Sequence, residues 1–479
     1  MRFAHFPALS CNLLALGLLA GCSSMIRVDT PASQVTAPTT FAAPAAQAAA
    51  PADADQRVWW RSWNDPQMDA LIDKALAANP DIRTAKANLA AARALVTVAD
   101  SALYPTVSAG AVGAAGNVDW RNNNAWRALL PPLTSTLPSS TSGDGYAIGV
   151  TAAWEADVFG ARAADARAAR AAEAISGERL RGAQLLLAAE VAGNYRQALA
   201  LRQRLDVLDT AIGSLGDLNR YLLARFAAGQ ASAADVSAAR ARLDEQLALR
   251  EALSAQIDIR LRRIAVLCGS PPQQLPALAS APSPVPAPPG GQLPSSVLDR
   301  RPDVRAAQWA VEARAAQLKR AKADLLPSFG IVFLGGEGRL DFSGIPDVSG
   351  LGGLIGLRVS LPLFNAGRLH AYVDASDALL AGAVADHDRA VLGALEDVEN
   401  AYGLRAALDA RVARLASSRD ATFKADRSKQ ALFDAGQVTR GDVLQARIEL
   451  SRIDDALAQA RMEQAMASIR LHQALGGGW

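Results

Sequence analysis

The stretch Phe226-Ala227-Ala228-Gly229-Gln230 returns as Phe433-Asp434-Ala435-Gly436-Gln437, an offset of 207 that governs the reading of the whole chain. The same offset pairs Val191 with Val398, Tyr195 with Tyr402, Asp235-Val236 with Asp442-Val443, Leu243 with Leu450, and Gly269 with Gly476. Upstream, Asn79-Pro80-Asp81-Ile82-Arg83 returns as Arg301-Pro302-Asp303-Val304-Arg305, with Leu103 and Pro105 matching Leu325 and Pro327, at an offset of 222. The offset changes between Pro105 and Phe159, so the first copy carries the longer insertion there. A length of 479 residues suggests about three domains. The repeat replaces that expectation with one unit used twice, over 57–270 and 295–477, joined by a Pro-rich linker at 271–294.

Composition narrows the class. Lys+Arg 49 against Asp+Glu 47 leaves a net charge of +2, without the basic excess of a nucleic-acid binder. Half the residues are hydrophobic but only 5% are aromatic, because alanine supplies much of the apolar count, as in a helix-rich chain.

The first residues read as a secretory signal, with Arg2 and His5 ahead of an apolar run from Leu9 to Ala20 that is too short to span a bilayer. Leu19-Ala20-Gly21-Cys22 places small residues before a cysteine, as in the bacterial lipobox. Cleavage there would remove 1–21 and leave Cys22 to carry a covalent lipid; the alternative is an ordinary signal with a chance cysteine. Several acyl chains would make a stable anchor in outer-membrane lipid. Residues 22–56, with Pro31, Pro38, Pro44 and Pro51, read as an extended Ala/Pro-rich tether. No disulfide set, CxxC or His cluster is present, so neither a metal nor another cofactor is expected; His370 and His387 read as surface residues.

Each unit reads helix, strand, strand, long helix, long helix: mainly α with a small β part. A helix begins near Asp65-Pro66, is interrupted at Asn79-Pro80 and ends before Pro105. Tyr146, Ile148, Val150, Ala152 and Trp154 then alternate with small or polar residues, as do Leu351, Gly353, Ile355, Leu357, Val359 and Leu361. Strands of about 9 to 11 residues with one apolar face match a membrane β-strand, although a half-buried soluble strand alternates in the same way. Four strands per chain cannot close a barrel, and lipid does not tolerate open sheet edges, so spanning would require several chains.

From Ala161 to Ala228 there is no proline, which predicts a helix about 100 Å long. Leu201, Leu205, Leu208, Ile212, Leu215, Leu222 and Phe226 form a coiled-coil seam, with Asn219 in the missing slot. The returning helix offers Leu243, Leu247, Ile257, Leu261, Ile264 and Cys268. Gly229 and Gly436 are suited to ending one helix, and Ser232 and Thr439 to capping the next. Each unit is therefore a long helical hairpin with its turn remote from the strands.

The ordered set of lipobox, duplicated unit, Leu103-Tyr104-Pro105, Leu326-Pro327-Ser328, Val158-Phe159-Gly160 and Leu361-Pro362-Leu363-Phe364-Asn365-Ala366-Gly367-Arg368 resembles the TolC-like outer-membrane efflux factor family. Trp59-Trp60 and Trp63-Asn64-Asp65-Pro66 resemble its lipid-anchored NodT/OprM type. The resemblance implies a homotrimer in which four strands per chain build one transmembrane β-barrel above a trimeric α-barrel. Sequence physics alone would equally allow a dimer or tetramer. The resemblance also implies a passive outer-membrane conduit served by a periplasmic adaptor and an inner-membrane pump of the RND type.

By position, Asp442 resembles a gate carboxylate, with Asp235 as its repeat mate; a solvated carboxylate at a helix start is the alternative. Arg225, Gly229, Gln230, Gly436, Gln437 and Arg440 become candidate adaptor contacts at the hairpin tips, the arginines alternatively being solvated helix-end charges. Competing functions are a lipid-anchored periplasmic scaffold or binding protein and a type I secretion conduit. No nucleophile set, phosphate loop or metal spacing supports an enzyme.

Overall fold

The computed structural model describes residues 26–48, 56–119, 140–278, 283–343 and 345–477. Cys22 lies outside the described residues. The order is α1 (Pro44–Gln47), a 3-10 turn (Gln56–Trp63), α2 (Pro66–Ala78), α3 (Pro80–Ser101), β1 (Thr106–Asp119), β2 (Ser140–Ala156), α4 (Ala161–Ala227) and α5 (Ala233–Leu267). The second copy supplies α6 (Pro294–Arg300), α7 (Pro302–Ala323), β3 (Ser328–Phe342), β4 (Ile345–Ser360), α8 (Arg368–Asp434) and α9 (Arg440–Ala474).

Contacts divide the chain into a sheet unit, 1–32, 91–173 and 310–383, and a helical unit, 33–90, 174–309 and 384–479. In the sheet unit the four strands form an antiparallel meander, β1-β2-β3-β4, so β2–β3 joins the two copies. The strands run 14 to 17 residues, beyond the expected 9 to 11. Pairing continues past the apolar band into polar stretches such as Ser140–Asp144, where backbone hydrogen bonds need no apolar side chains. Gly149 and Gly336 face each other at the β2–β3 seam, where a Cβ on Gly336 would collide with the Ile148 carbonyl oxygen.

Helix punctuation repeats closely. α4 and α8 are each 67 residues, about 100 Å at 1.5 Å per residue. Prolines open α2, α3, α6 and α7, where the missing N–H costs nothing. Four long helices close with the same glycine motif, at Gly229, Gly269, Gly436 and Gly476, all at positive φ. At Gly269 the Ala78 carbonyl oxygen would lie 2.7 Å from an added Cβ. The copies also join their helices alike: Asn79 Nδ2 donates to the Leu267 carbonyl at 2.9 Å, and Arg301 Nη1 to the Ala474 carbonyl at 3.1 Å.

The core of the helical unit packs Trp59, Trp60 and Trp63 against Met68, Ile72, Tyr195, Ile264 and Ile469. Tyr195 and its mate Tyr402 are buried, and their hydroxyls donate to Asp65 Oδ1 at 3.1 Å and to the Pro289 carbonyl at 2.5 Å. The hairpin seam forms from Leu201, Leu208 and Leu253, with Leu205, Ile212 and Ile257 around them. Phe226 and Leu247, expected within the seam, are exposed. A strict 3.5-residue seam drifts by about 20° per heptad on a straight helix, and Leu253 takes the buried position instead.

Residues 33–48 are more than the expected tether. Phe41 is 1% exposed and packs with Val398, Tyr402 and Leu471. Ser33 Oγ and the Gln34 N–H donate to Asp388 at 2.6 and 3.1 Å, and the Ala42 N–H donates to Glu399 Oε1 at 2.6 Å. Pro44, expected to break a helix, begins α1, because proline fits a first turn. The linker is fastened too: Arg196 donates to Ser283 Oγ and its carbonyl at 2.9 and 2.7 Å, and Arg405 to the Pro286 carbonyl at 2.8 Å.

His370 is exposed and His387 half-buried, whereas His472 is buried and stacks on Trp59 with ring centroids 4.9 Å apart.

Candidate functional site

Two places carry the chemistry expected of a conduit: the sheet, and the turns that end the hairpins. On the sheet, register puts Val107, Ala109 and Ala111 on the same face as Tyr146, Ile148, Val150 and Trp154. Ile331 and Phe333 continue that face across β2–β3, and Leu351, Ile355, Leu357 and Val359 across β3–β4. These side chains are largely exposed in the single chain. Opposite residues of an antiparallel ladder share a face, so the apolar alternations of both copies fall on one side. The other side mixes Ser108, bonded to Thr151 at 2.7 Å, and Gly149, Gly336, Gly338 and Gly352 with exposed Val112, Leu334 and Leu354, while Glu337 and Arg339 interrupt the first side on β3. No helix among the described residues is long and apolar enough to cross a membrane.

At the first hairpin turn Gly229 has φ 71°, its N–H donates to the Phe226 carbonyl, and the Gln230 N–H reaches the Arg225 carbonyl at 2.7 Å. Gly436 and Gln437 repeat this, the Gln437 N–H donating to the Leu432 carbonyl at 2.8 Å. Both glycines and both glutamines are exposed, so only their backbone is committed.

Asp235 and Asp442 occupy identical places. Each is the third residue of its helix and completes a reciprocal capping box with Ser232 or Thr439. Asp442 Oδ2 accepts from the Thr439 N–H at 2.8 Å and its hydroxyl at 2.7 Å; Asp235 Oδ2 accepts from Ser232 at 3.0 and 2.7 Å. The Ser232 and Thr439 hydroxyls, with their backbone N–H groups, hold the two carboxyls below the ordinary carboxylate range. Both therefore stay ionised at neutral pH, with Oδ1 outside the capping box.

Contacts across the two copies were not foreseen from sequence. Arg440 Nη2 lies 3.7 Å from Asp217 Oδ2, and Asp217 also pairs with Arg220. Gly441 is buried under Tyr221, whose Cε1 would be 3.0 Å from an added Cβ. Arg225 lies 5.8 Å from the Tyr221 ring centre and its Nη1 is 3.4 Å from the hydroxyl. Thus Arg225 and Arg440, candidate adaptor contacts by sequence, both belong to a cluster joining the end of α4 to the start of α9, with the Arg440 side chain still 58% exposed. A sequence signal existed: Asp217, Tyr221, Arg440 and Gly441 have the repeat mates Lys424, Ser428, Ala233 and Ala234, so both sides of this contact depart from the repeat.

Among the described residues no group of His, Cys, Asp or Glu could hold a metal ion. Cys268 is a buried free thiol, and burial raises its pKa.

Comparison with known proteins agrees with this architecture. The chain is 28% identical over 430 residues to the pyoverdine export outer membrane protein OpmQ of Pseudomonas aeruginosa, covering 89% of this chain and 88% of that one. It is 26% identical over 492 residues to the solvent efflux pump outer membrane protein SrpC of Pseudomonas putida, covering 100% and 99%. The solved outer-membrane channel OprN superposes with a TM-score of 0.82 at 26% identity, covering 96% of this chain and all of that chain. The family model for outer membrane efflux proteins matches residues 71–270 and 293–477, one segment in each copy, and the chain belongs to that family.

Proposed function

We propose that this protein is the outer-membrane channel of a tripartite efflux system, conducting small molecules outward without a catalytic step of its own. The observation that carries this reading is the sheet: one exposed, predominantly apolar face spans four strands, and among the described residues neither edge strand, β1 or β4, has an outer neighbour. Such a sheet is costly in water and unacceptable in lipid until its edges close. Three chains would pool twelve strands into one barrel, with the 67-residue helices forming the periplasmic tube.

In this reading a lipid on Cys22 anchors the chain, a periplasmic adaptor docks at the turns around Gly229, Gln230, Gly436 and Gln437, and an RND-type inner-membrane pump supplies the energy. The resting constriction lies at the hairpin ends, where Asp442, Asp235 and the Asp217–Arg440 pair gather charge. The relatives' names mention pyoverdine export and solvent efflux; in this reading the choice of cargo lies with the pump.

The test is deletion of the gene followed by accumulation measurements with a panel of dyes and antibiotics. Increased accumulation of several compounds, restored by the intact chain, is expected. Unchanged accumulation across the panel, together with no conductance of the purified protein in planar bilayers, would overturn the reading.

A further inference from the structure

Arg196 on α4 is a buried cation with no ion-pair partner among the described residues. It is 5% exposed, and its Cζ lies 4.6 Å from the Trp63 ring centre. Of the five N–H donors of an arginine, two go to Ser283, from Nη1 to Oγ at 2.9 Å and from Nη2 to the carbonyl at 2.7 Å, while Nε is buried without a hydrogen-bond partner. Asp65 attracts it from beyond ion-pair distance and spends Oδ1 on the Met68 N–H and the Tyr195 hydroxyl. Ser283 and the Trp63 face orient the guanidinium but bring no negative charge, and burial pushes its pKa down.

Arg196 lines a cleft of about 440 Å³ between α4, α9 and the linker at Ser283–Val285, all within the helical unit. Ala200, Pro284, Val285 and Met462 give the cleft an apolar wall, and Gln203, Arg461 and Gln464 add polar groups to it. Arg461 is exposed and forms no ion pair among the described residues. No acidic side chain lines the cleft, and those beside it on α8 and α9 are engaged: Asp455 with Arg204 at 2.7 Å, Asp409 with Arg405 and Gln464 at 2.8 and 2.6 Å, and Glu463 with Arg411. An apolar cleft with a few convergent polar groups is the usual form of a small-molecule site.

Helix packing does not demand these side chains. At the offset of 207, Arg196, Gln203, Arg461 and Gln464 have the mates Gly403, Ala410, Ser254 and Ile257, so the same places in the other copy carry small or apolar residues. A charge is among the costliest groups to bury, yet Arg196 stands where its mate has no side chain at all.

We propose that this cleft binds a compact organic carboxylate, its head met by Arg196 and Arg461 and its apolar body lying against Pro284, Val285 and Met462. A flat carboxylate matches the guanidinium fork, and its single charge balances the one buried cation, since Arg461 keeps its contact with water. Because Arg196 also holds Ser283, an occupied cleft fastens the linker to α4 and α9. The site is built from one chain and stands independently of the channel reading.

The test titrates the full chain, held in phosphatidylcholine nanodiscs, with radiolabelled octanoate, using nanodiscs without protein as the blank. Saturable binding is expected, weakened about tenfold in Arg461→Ser, abolished in Arg196→Gln and unchanged in Arg202→Gln, an exposed arginine of α4 outside the cleft. Octanol, with the tail and no charge, and inorganic phosphate, with charge and no tail, should not displace octanoate. Arg461 is exposed, so its variant tests the site even if Arg196→Gln fails to fold. Absence of saturable binding by the folded wild type, equal affinity in Arg461→Ser, or displacement by octanol or phosphate at matching concentration overturns the proposal. Each of these results leaves the channel reading intact, since conductance does not enter the measurement.

Discussion

Replacing His472 by phenylalanine should remove an identifiable part of the protein's acid sensitivity. His472 is fully buried, its ring stacks on Trp59, and neither ring nitrogen has a hydrogen-bond partner in the structure. Burial, reinforced by the Arg405 charge, pushes its pKa down from 6.5 to about 3. The folded chain therefore holds a neutral imidazole while the unfolded chain takes up a proton below about pH 6.5. The unfolded state binds more protons between these values, so stability falls as pH drops from about 6.5 toward about 3. At 1.36 kcal/mol per proton and pH unit, this site costs about 2 kcal/mol per chain between pH 7 and pH 5.

Phenylalanine keeps a flat ring against Trp59 and does not titrate. Guanidinium unfolding followed by the fluorescence of the buried Trp59, Trp60 and Trp63 reads the difference directly. The wild type should lose more stability than His472→Phe between pH 7 and pH 5, by about 2 kcal/mol per chain. Parallel losses in the two proteins would refute the assignment, because carboxylates common to both would then carry the whole pH dependence.

Two further outcomes follow from the same geometry. Phe41→Ala should cost about 3 to 5 kcal/mol locally by opening a cavity among Val398, Tyr402 and Leu471, seen as faster proteolysis within residues 26–48 while the helical hairpins stay protected. Asp442→Ala and Asp235→Ala should each weaken a helix start to a similar extent, seen as faster amide hydrogen exchange in the first turn, since both remove a capping-box partner. A gate role specific to Asp442 predicts raised resting conductance in planar bilayers for Asp442→Ala alone; equal conductance of both variants would reduce the two carboxylates to caps.

Local chemistry made most of the fold legible. Pro66, Pro80 and, through the repeat, Pro302 mark helix starts, and Gly229 and Gly436 mark helix ends, because each fixes its own backbone wherever the chain goes next; Pro294, read as the end of the linker, opens α6 instead. The strand faces were legible for the same reason, since alternation belongs to the strand itself. What depends on distant partners was not. Residues 33–48 carry no periodicity, and their docking rests on one phenylalanine and two carboxylates about 350 residues away. His472 occupies an ordinary helical position, and only the packing of Trp59 reveals its burial. The Asp217–Arg440 and Tyr221–Gly441 contacts depend on how α4 meets α9; departures from the repeat mark these positions but not which of them pair.

Duplication gives two copies of one backbone but not two identical environments, and the substitutions between mates follow that difference. A junction within the chain forms as the chain folds, so it can use an exposed ion pair such as Asp165–Arg320, which contributes little by itself. Tyr372 and Val98 stand where the ion pair stands in the other copy, and Leu363 where Ala156 does. The exchanges do not run one way, since Val96 stands for the larger Leu318 and Ala366 for Phe159, so each mate is fitted to its own neighbours and not to a rule carried by the repeat.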